Sequence, residues 1–368
     1  MTAHSPLLAR YRRYWGVPLL GALVVPMTVQ ALQPVAISSD EEARMLSAAP
    51  AWPQSAQDWR TLPRRFDRFF ADHFGLRAEL VRAHGRLRYS VNLPSDLRVI
   101  IGRDNWLFLN GDATIEQATG KLLRESEIAK FADRAAALRA RLAAKDIRLL
   151  VAIPPNGPTI NRARLPAWAA EAPAITEYDL MLRALGERGI AAVDLRPPLT
   201  AANATNPVYR RTDTHWNKLG ALVAFNAVVA ALGKPEWVIA PARVLRGFVP
   251  VAGGDLARLL AISGDVMDED ADIDLSSYGP RPFEVGAVPT QFENGGDLIE
   301  TGREGPTVVV VGDSFTRGYW QDYFALRAGR YVWMHHEQCG FMLSVAESYA
   351  PATVILAPTE RQMFCTGR

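Results

Sequence analysis

The chain is predicted to fold as an α/β domain with a mostly parallel sheet covered by helices on both faces. Three observations lead there. Short, almost wholly apolar runs recur at 147–153, 307–311 and 353–357, as buried parallel strands do. Segments with apolar residues at helical spacing separate them, and strands alternating with helices imply a parallel sheet with both faces covered. Two of the runs end in turn residues, Pro154-Pro155-Asn156-Gly157 and Gly312-Asp313-Ser314. Loops at the carboxyl ends of parallel strands are where α/β proteins place their sites.

With 368 residues, 49% hydrophobic and 22% charged, the chain is large enough for one large core or two modest ones, and nothing in it reads as repetitive. A net charge of +2 gives no electrostatic case for nucleic-acid binding. The two cysteines, Cys339 and Cys365, are not in metal-ligand spacing; they suit either one disulfide in an exported protein or two independent thiols. Arg10, Arg12 and Arg13 precede an apolar run at 16–32, the pattern of a signal anchor or a cleaved signal peptide. The rest of the chain is therefore expected outside the cytoplasm. Residues 1–37 read as cytoplasmic tail and anchor, 38–95 as linker and helical approach segment, and 96–368 as the α/β domain.

In order along the chain, 38–63 carries acids and scattered prolines and reads as a linker. Residues 64–89 read as a helical region broken near Gly75. Its Phe66, Phe69, Phe70 and Phe74 are at helical spacing, a pattern that ordinarily marks a face packing on its own domain and less often a partner-binding face. Residues 99–101 and 106–109 flank a four-residue turn and predict a hairpin. A helix is expected at 126–145 behind a serine cap, a strand at 147–153, a helix at 175–188, a strand at 190–195 and an apolar helix at 217–232. After the serine strand come a helix at 320–327 and strands at 331–334 and 353–357. Between them, 233–306 is a long polar insert rich in Gly, Pro and Asp; a connection that long is usually functional or a rim structure.

Chemistry concentrates at two places. Ser314 stands in the turn after a buried strand, and a serine nucleophile needs a base and an acid to orient that base. Of six histidines, His215 stands apart, in Asp213-Thr214-His215-Trp216-Asn217 at the loop opening an apolar helix. In an extended loop residues two apart project to one side, so the Asp213 carboxylate is placed to reach the His215 ring. Ser314, His215 and Asp213 form the candidate triad. The Ser314 backbone N–H at its Gly312-containing turn is a natural oxyanion donor, and Asn156 is the candidate side-chain donor. Taken singly each motif has a structural reading: Ser314 as a helix cap, Asp-x-His as a capping pair or half of a metal site for which the sequence names no third ligand. No metal and no cofactor is expected. Trp216, Tyr319, Trp320 and Trp333 read as core or as a sugar platform.

These blocks, with Ile101 to Phe108 reading IGRDNWLF, Asp72 to Arg77 reading DHFGLR, and Glu360-Arg361 after the last strand, resemble the AlgJ/AlgX-like alginate O-acetyltransferases, periplasmic members of the SGNH hydrolase superfamily. The resemblance runs from about Glu42 to the C-terminus. The motif order is permuted, Asp-x-His before Ser, as in that family. The resemblance implies a triad of Ser314, His215 and Asp213 and an acetyl-serine intermediate. It also implies a polysaccharide acceptor, an inner-membrane anchor and a membrane-bound O-acyltransferase as acetyl supplier. Two positions depart from the family pattern: Gly157, where a lysine usually follows the Pro-Asn pair, and Asn105, where glycine is usual. The short stretch after Glu360-Arg361 points to the shorter AlgJ-type members. A carbohydrate acetylesterase with the same triad, and a non-catalytic polysaccharide-binding protein, are the other readings.

Overall fold

The computed structural model describes residues 46–91, 98–279, 284–288, 295–337 and 343–364, with scattered residues between 18 and 32. Most of the expected anchor, and Cys339 and Cys365, lie outside the described residues. Among the described residues no helix is long and apolar enough to cross a membrane. The chain divides into two compact units, Met1–Val91 with Arg258–Gly264, and Asn92–Ala257 with Asp265–Arg368.

In the first unit, helix α1 (Ala56–His73) starts at a capping box in which Ser55 accepts from the Asp58 N–H and Asp58 accepts from the Ser55 N–H. These two reciprocal bonds satisfy donors that a helix start otherwise leaves open. They also turn part of the stretch expected as linker into helix. The chain then breaks at Leu76, whose φ of 71° is left-handed, and resumes as α2 (Arg77–Val91). Phe66 and Phe70 are exposed rather than covered, contrary to the expectation that this face packs on its own domain.

The second unit is built on a six-stranded sheet. Its hairpin β1 (Val99–Ile101) and β2 (Leu107–Leu109) forms as expected. Asn105 at its tip has φ 58°, a left-handed conformation that asparagine tolerates better than most residues, so the departure from glycine is accommodated. Then follow α3 (Thr114–Ala118), α4 (Glu125–Ala143), β3 (Arg148–Val151), α5 (Glu177–Glu187), α6 (Arg196–Asn203) and α7 (Lys218–Ala231). The insert contributes β4 (Leu245–Ala252), α8 (Asp255–Leu259), β5 (Met267–Ile273), β6 (Val285–Ala287) and β7 (Gly296–Glu300). The chain closes with β8 (Thr307–Gly312), α9 (Trp320–Ala325), β9 (Arg330–His335), α10 (Leu343–Ser348) and β10 (Thr353–Ala357). The sheet order is β3-β10-β8-β9-β7-β6. The first four strands are parallel; β7 and β6 add an antiparallel edge.

Side-chain alternation divides the core into two layers. Val308, Val310, Tyr331, Trp333 and Ile355 pack on one face with Leu222, Phe225 and Val229 of α7. Val309, Val311, Val332, Val354 and Leu356 pack on the other with Phe131, Leu138 and Leu142 of α4 and Leu185 of α5. Both faces are covered, which is why these strands read as unbroken apolar runs.

One expected strand is corrected, and the insert gains a structure that its sequence did not specify. The strand expected at 190–195 is reduced to a single parallel bridge between Val151 and Ala192, because Arg196 and two prolines begin α6 directly afterwards. The insert, expected as a functional or rim segment, is built of strands. Its β4 and β5 form an antiparallel ribbon, and β6 and β7 extend the main sheet. Strand β4 is half to fully exposed and broken by Gly247 and Pro250, and β5 carries four acids, so neither has the buried apolar run that marks the central strands.

Candidate active site

Strand β8 delivers Ser314. Gly312 ends the strand, and a Cβ there would overlap the Thr316 hydroxyl and lie 3.1 Å from the Ala357 carbonyl oxygen, so the tight exit requires glycine. Asp313 then pins the turn. Its Oδ1 accepts from the Phe315 N–H at 3.0 Å, and its Oδ2 accepts from the Thr359 N–H, beyond β10, at 2.8 Å. With both neighbours of Ser314 buried, the serine itself projects into solvent. The Thr316 and Arg317 N–H groups both donate to the Asp313 carbonyl, and α9 begins only at Trp320. Ser314 therefore sits on a coiled turn six residues before the helix, not at its first residue.

The partner loop is fixed from the other side. Asn217 caps α7, its Oδ1 accepting from the Gly220 N–H at 2.9 Å, and the buried Trp216 donates its indole N–H to the Phe315 carbonyl at 2.9 Å. That bond ties the histidine loop to the serine turn. The result is a continuous chain: His215 Nε2 lies 2.9 Å from Ser314 Oγ, and His215 Nδ1 lies 2.7 Å from Asp213 Oδ1. The three residues singled out in sequence are brought into one hydrogen-bonded series, although Asp213 and Ser314 are about a hundred residues apart. Burial alone would raise the Asp213 carboxyl, but its bonds to His215 and the nearby Arg210 guanidinium outweigh this and hold it well below the usual carboxylate range.

The insert supplies what the sequence reading missed. Asp255 Oδ2 lies 3.6 Å from His215 Nδ1, and the Asp255 side chain accepts from both the N–H and the hydroxyl of Thr214. The Asp255 N–H donates to Asp213 Oδ2 at 3.2 Å. Gly254 presses against Asp213 so closely that a Cβ would fall 2.5 Å from the Asp213 Cβ. Asp268, on β5, accepts from the N–H and hydroxyl of Thr212. Burial and the adjacent Asp213 charge push the Asp255 carboxyl upward. Donor atoms of Asp213, His215 and Asp255 lie within 4.8 Å of one another, so Asp255 is the third potential metal ligand that the sequence did not name. In this geometry Nδ1 is already engaged by Asp213, and Asp255 by Thr214. The signal was Gly253-Gly254-Asp255, a glycine-then-acid turn inside a segment whose polarity masked it.

Asn156 follows β3, whose neighbour β10 is next to β8, so all three strand ends open on one edge. Asn156 is 1% exposed and gives one amide N–H to Gln117 Oε1 at 3.1 Å, leaving a single N–H for any other acceptor. Its backbone N–H donates to Glu360 Oε2 at 2.7 Å. Asn156, Gly157, Asp213, Thr214 and Arg361 line one small cleft. Arg361 brings a cation to the cleft where Gly157 carries no side chain, its guanidinium 5.1 Å from the centre of the Phe315 ring. Trp216, Trp320 and Trp333 are buried and belong to the core, which removes them as a sugar platform. Of these four aromatics Tyr319 stays beside the site, its ring 6.5 Å from that of His215.

An α/β fold with an exposed serine, a histidine and a carboxylate in hydrogen-bonded series at the carboxyl edge of a parallel sheet defines an SGNH-hydrolase-like class of protein. The chain belongs to the family described as "SGNH hydrolase-like domain, acetyltransferase AlgX", whose model matches residues 99–329. It is 26% identical over 179 residues to a protein of Azotobacter vinelandii named "Probable alginate O-acetylase AlgJ", covering 47% of this chain and 43% of that protein. A Pseudomonas putida protein of the same name is 30% identical over 139 residues, covering 37% and 34% of the two chains. The chain thus spans less than half the length of the curated relatives it matches. Among solved structures, Bacillus cereus PatB1 is similar in fold, with a TM-score of 0.53 at 12% identity, covering 72% of this chain and 97% of that one.

Proposed function

We propose that the protein is an O-acetyltransferase that carries acetyl on Ser314 and passes it to hydroxyls of an exported polysaccharide, alginate-like in keeping with its relatives' names. The observation that carries this reading is the Ser314–His215–Asp213 hydrogen-bond series ending on an exposed serine hydroxyl. Ser314 Oγ attacks the acetyl carbonyl of the donor while its proton passes to His215 Nε2. Asp213 holds Nδ1–H and stabilises the imidazolium that forms. The Ser314 backbone N–H faces the developing oxyanion, with the remaining Asn156 amide N–H as second donor. Collapse expels the donor's leaving group, which takes the proton from Nε2. An acceptor hydroxyl then gives its proton to Nε2 and attacks the acetyl-serine, and collapse returns the proton to Ser314 Oγ. In this reading the protein works in the periplasm, held at the inner membrane by its N-terminal segment, with a membrane-bound O-acyltransferase supplying acetyl.

The test is to incubate the protein with a chromogenic acetyl donor, with and without oligouronate acceptors. Acetylated sugar in proportion to donor consumed supports transfer. Acetate release that is indifferent to acceptor makes the protein an acetylesterase, and no turnover with any donor rejects both.

Gly254→Ala is a second, independent check. The added methyl displaces the Asp213 carboxylate, and a misplacement of about 1 Å costs roughly 100-fold in rate. The expected result is a fall of kcat by about 10- to 100-fold with KM little changed. Steady-state kinetics on the folded variant measures it; a wild-type kcat shows that the position of Asp213 does not matter.

A further inference from the structure

The two helices of the first unit carry an apolar face that nothing in that unit covers. On α1, Trp59, Pro63, Phe66 and Phe70 follow at intervals of four, three and four residues; on α2, Leu80, His84, Leu87 and Val91 do the same. Such intervals put each set on one side of its helix. The exposures are large: Trp59 and Phe66 55%, Leu80 58%, Leu87 and Val91 54%. Trp52, before α1, is 80% exposed and meets Trp59 edge-on. A groove of about 480 Å³, lined by Phe70, Phe74, Leu80, Val81 and His84 among others, joins the two stripes across the bend. An exposed apolar face of this extent marks a contact surface.

The chemistry around the face selects its occupant. Residues 56–91 hold eight arginines and no lysine against four acids, in a chain whose net charge is only +2. One of those acids, Asp72, is buried and already accepts from the Ser47 N–H. Arg60 borders the α1 stripe, exposed Arg64 and Arg68 lie behind it, and Arg77 edges the groove. Tryptophan and phenylalanine on one side of a helix with arginine on the other is the pattern of helices that lie in a bilayer surface. Continuity adds to this, because the apolar run at 16–32 precedes α1 by 23 residues, at most about 80 Å of chain.

We propose that α1 and α2 lie on the surface of an anionic phospholipid bilayer, with Trp59, Phe66 and Phe70 at the acyl boundary and the arginines at the headgroup phosphates. Each exposed basic residue near such a surface adds to an attraction that salt weakens. The inference is independent of the acetyl chemistry proposed above. Its consequence is that the first unit is bound along a membrane face rather than free at the end of a tether.

The test uses the full chain with Cys339→Ser and Cys365→Ser, so that single cysteines carry an environment-sensitive fluorophore. Probes at Phe66→Cys and Phe70→Cys report the apolar face and one at Arg68→Cys the opposite side. All three sites are exposed, so labelling leaves the fold intact, as unchanged melting checks. In vesicles of phosphatidylethanolamine and phosphatidylglycerol at roughly 3:1, with nitroxide-labelled lipid, we expect quenching at 66 and 70 about threefold or more above that at 68, reduced in zwitterionic vesicles. Equal quenching at the three positions overturns the proposal even if the chain is vesicle-bound, because the run at 16–32 alone then holds it. A blue shift at 66 that needs no lipid also overturns it, in favour of a protein partner or a second copy.

Discussion

Replacing Ser314 with alanine lowers acetyl transfer by about 10⁴-fold or more, because the variant keeps the binding surface and oxyanion donors but has no atom to carry acetyl. His215→Ala falls by a comparable factor, since His215 Nε2, 2.9 Å from Ser314 Oγ, is the side-chain group among the described residues placed to take its proton. The double variant is no slower than either single one, because residues acting as a unit do not contribute additively. Intact mass measurement separates the steps. Wild-type protein given donor without acceptor gains one acetyl group, Ser314→Ala gains none, and addition of acceptor discharges the adduct. An Ala variant that retains activity within tenfold of wild type removes Ser314 from the mechanism, whatever the geometry suggests.

The parts of the site legible in sequence were those fixed by local rules. A buried strand running into Gly312-Asp313-Ser314 needs only five β-formers and a turn, and Asp213 and His215 are two residues apart, so their mutual reach follows from extended backbone. The meeting of these two segments rests on the Trp216–Phe315 bond and on strand order, and neither has a sequence signal. The central strands were read because both of their faces are covered. Strands β4 to β7 were not, because exposed strands interrupted by Gly or Pro, as in β4 and β6, or rich in acids, as in β5, have the composition of loops. Asp255 was lost with them, and with it the way the insert braces the histidine loop. The three tryptophans show the opposite ambiguity: an aromatic near a catalytic motif reads the same whether it faces substrate or core, and here each has its indole N–H bonded inside.

Glu360 is the place where the fold itself responds to pH. The side chain is wholly buried beneath the cleft, and burial pushes its carboxyl up to about 7, against the opposing hydrogen bonds from the Asn156 N–H and Thr159 hydroxyl. Its Oε1 has no hydrogen-bond partner among the described residues. A carboxyl raised in the folded state is neutral in both states below its unfolded value of 4.5, so folding carries no ionisation penalty there. As pH rises from about 4.5 to about 7 the unfolded chain releases a proton that the folded chain retains, and stability falls; above that range the loss is complete. Glu360→Gln preserves one oxygen for the Asn156 and Thr159 donors and cannot ionise. Relative to wild type it is therefore expected to gain about 2 to 3 kcal/mol more at pH 8 than at pH 5, whatever constant offset its unpaired amide introduces. His336 works the other way. Burial lowers it to about 4, so wild-type stability falls as pH drops from 6.5 towards 4, and the two slopes oppose each other between about 4.5 and 6.5. In wild type these two slopes partly cancel across that interval, while Glu360→Gln exposes the histidine slope and becomes steeper on the acid side. Urea unfolding of both proteins across this range tests the assignment, and parallel curves with a constant offset would place the titration elsewhere.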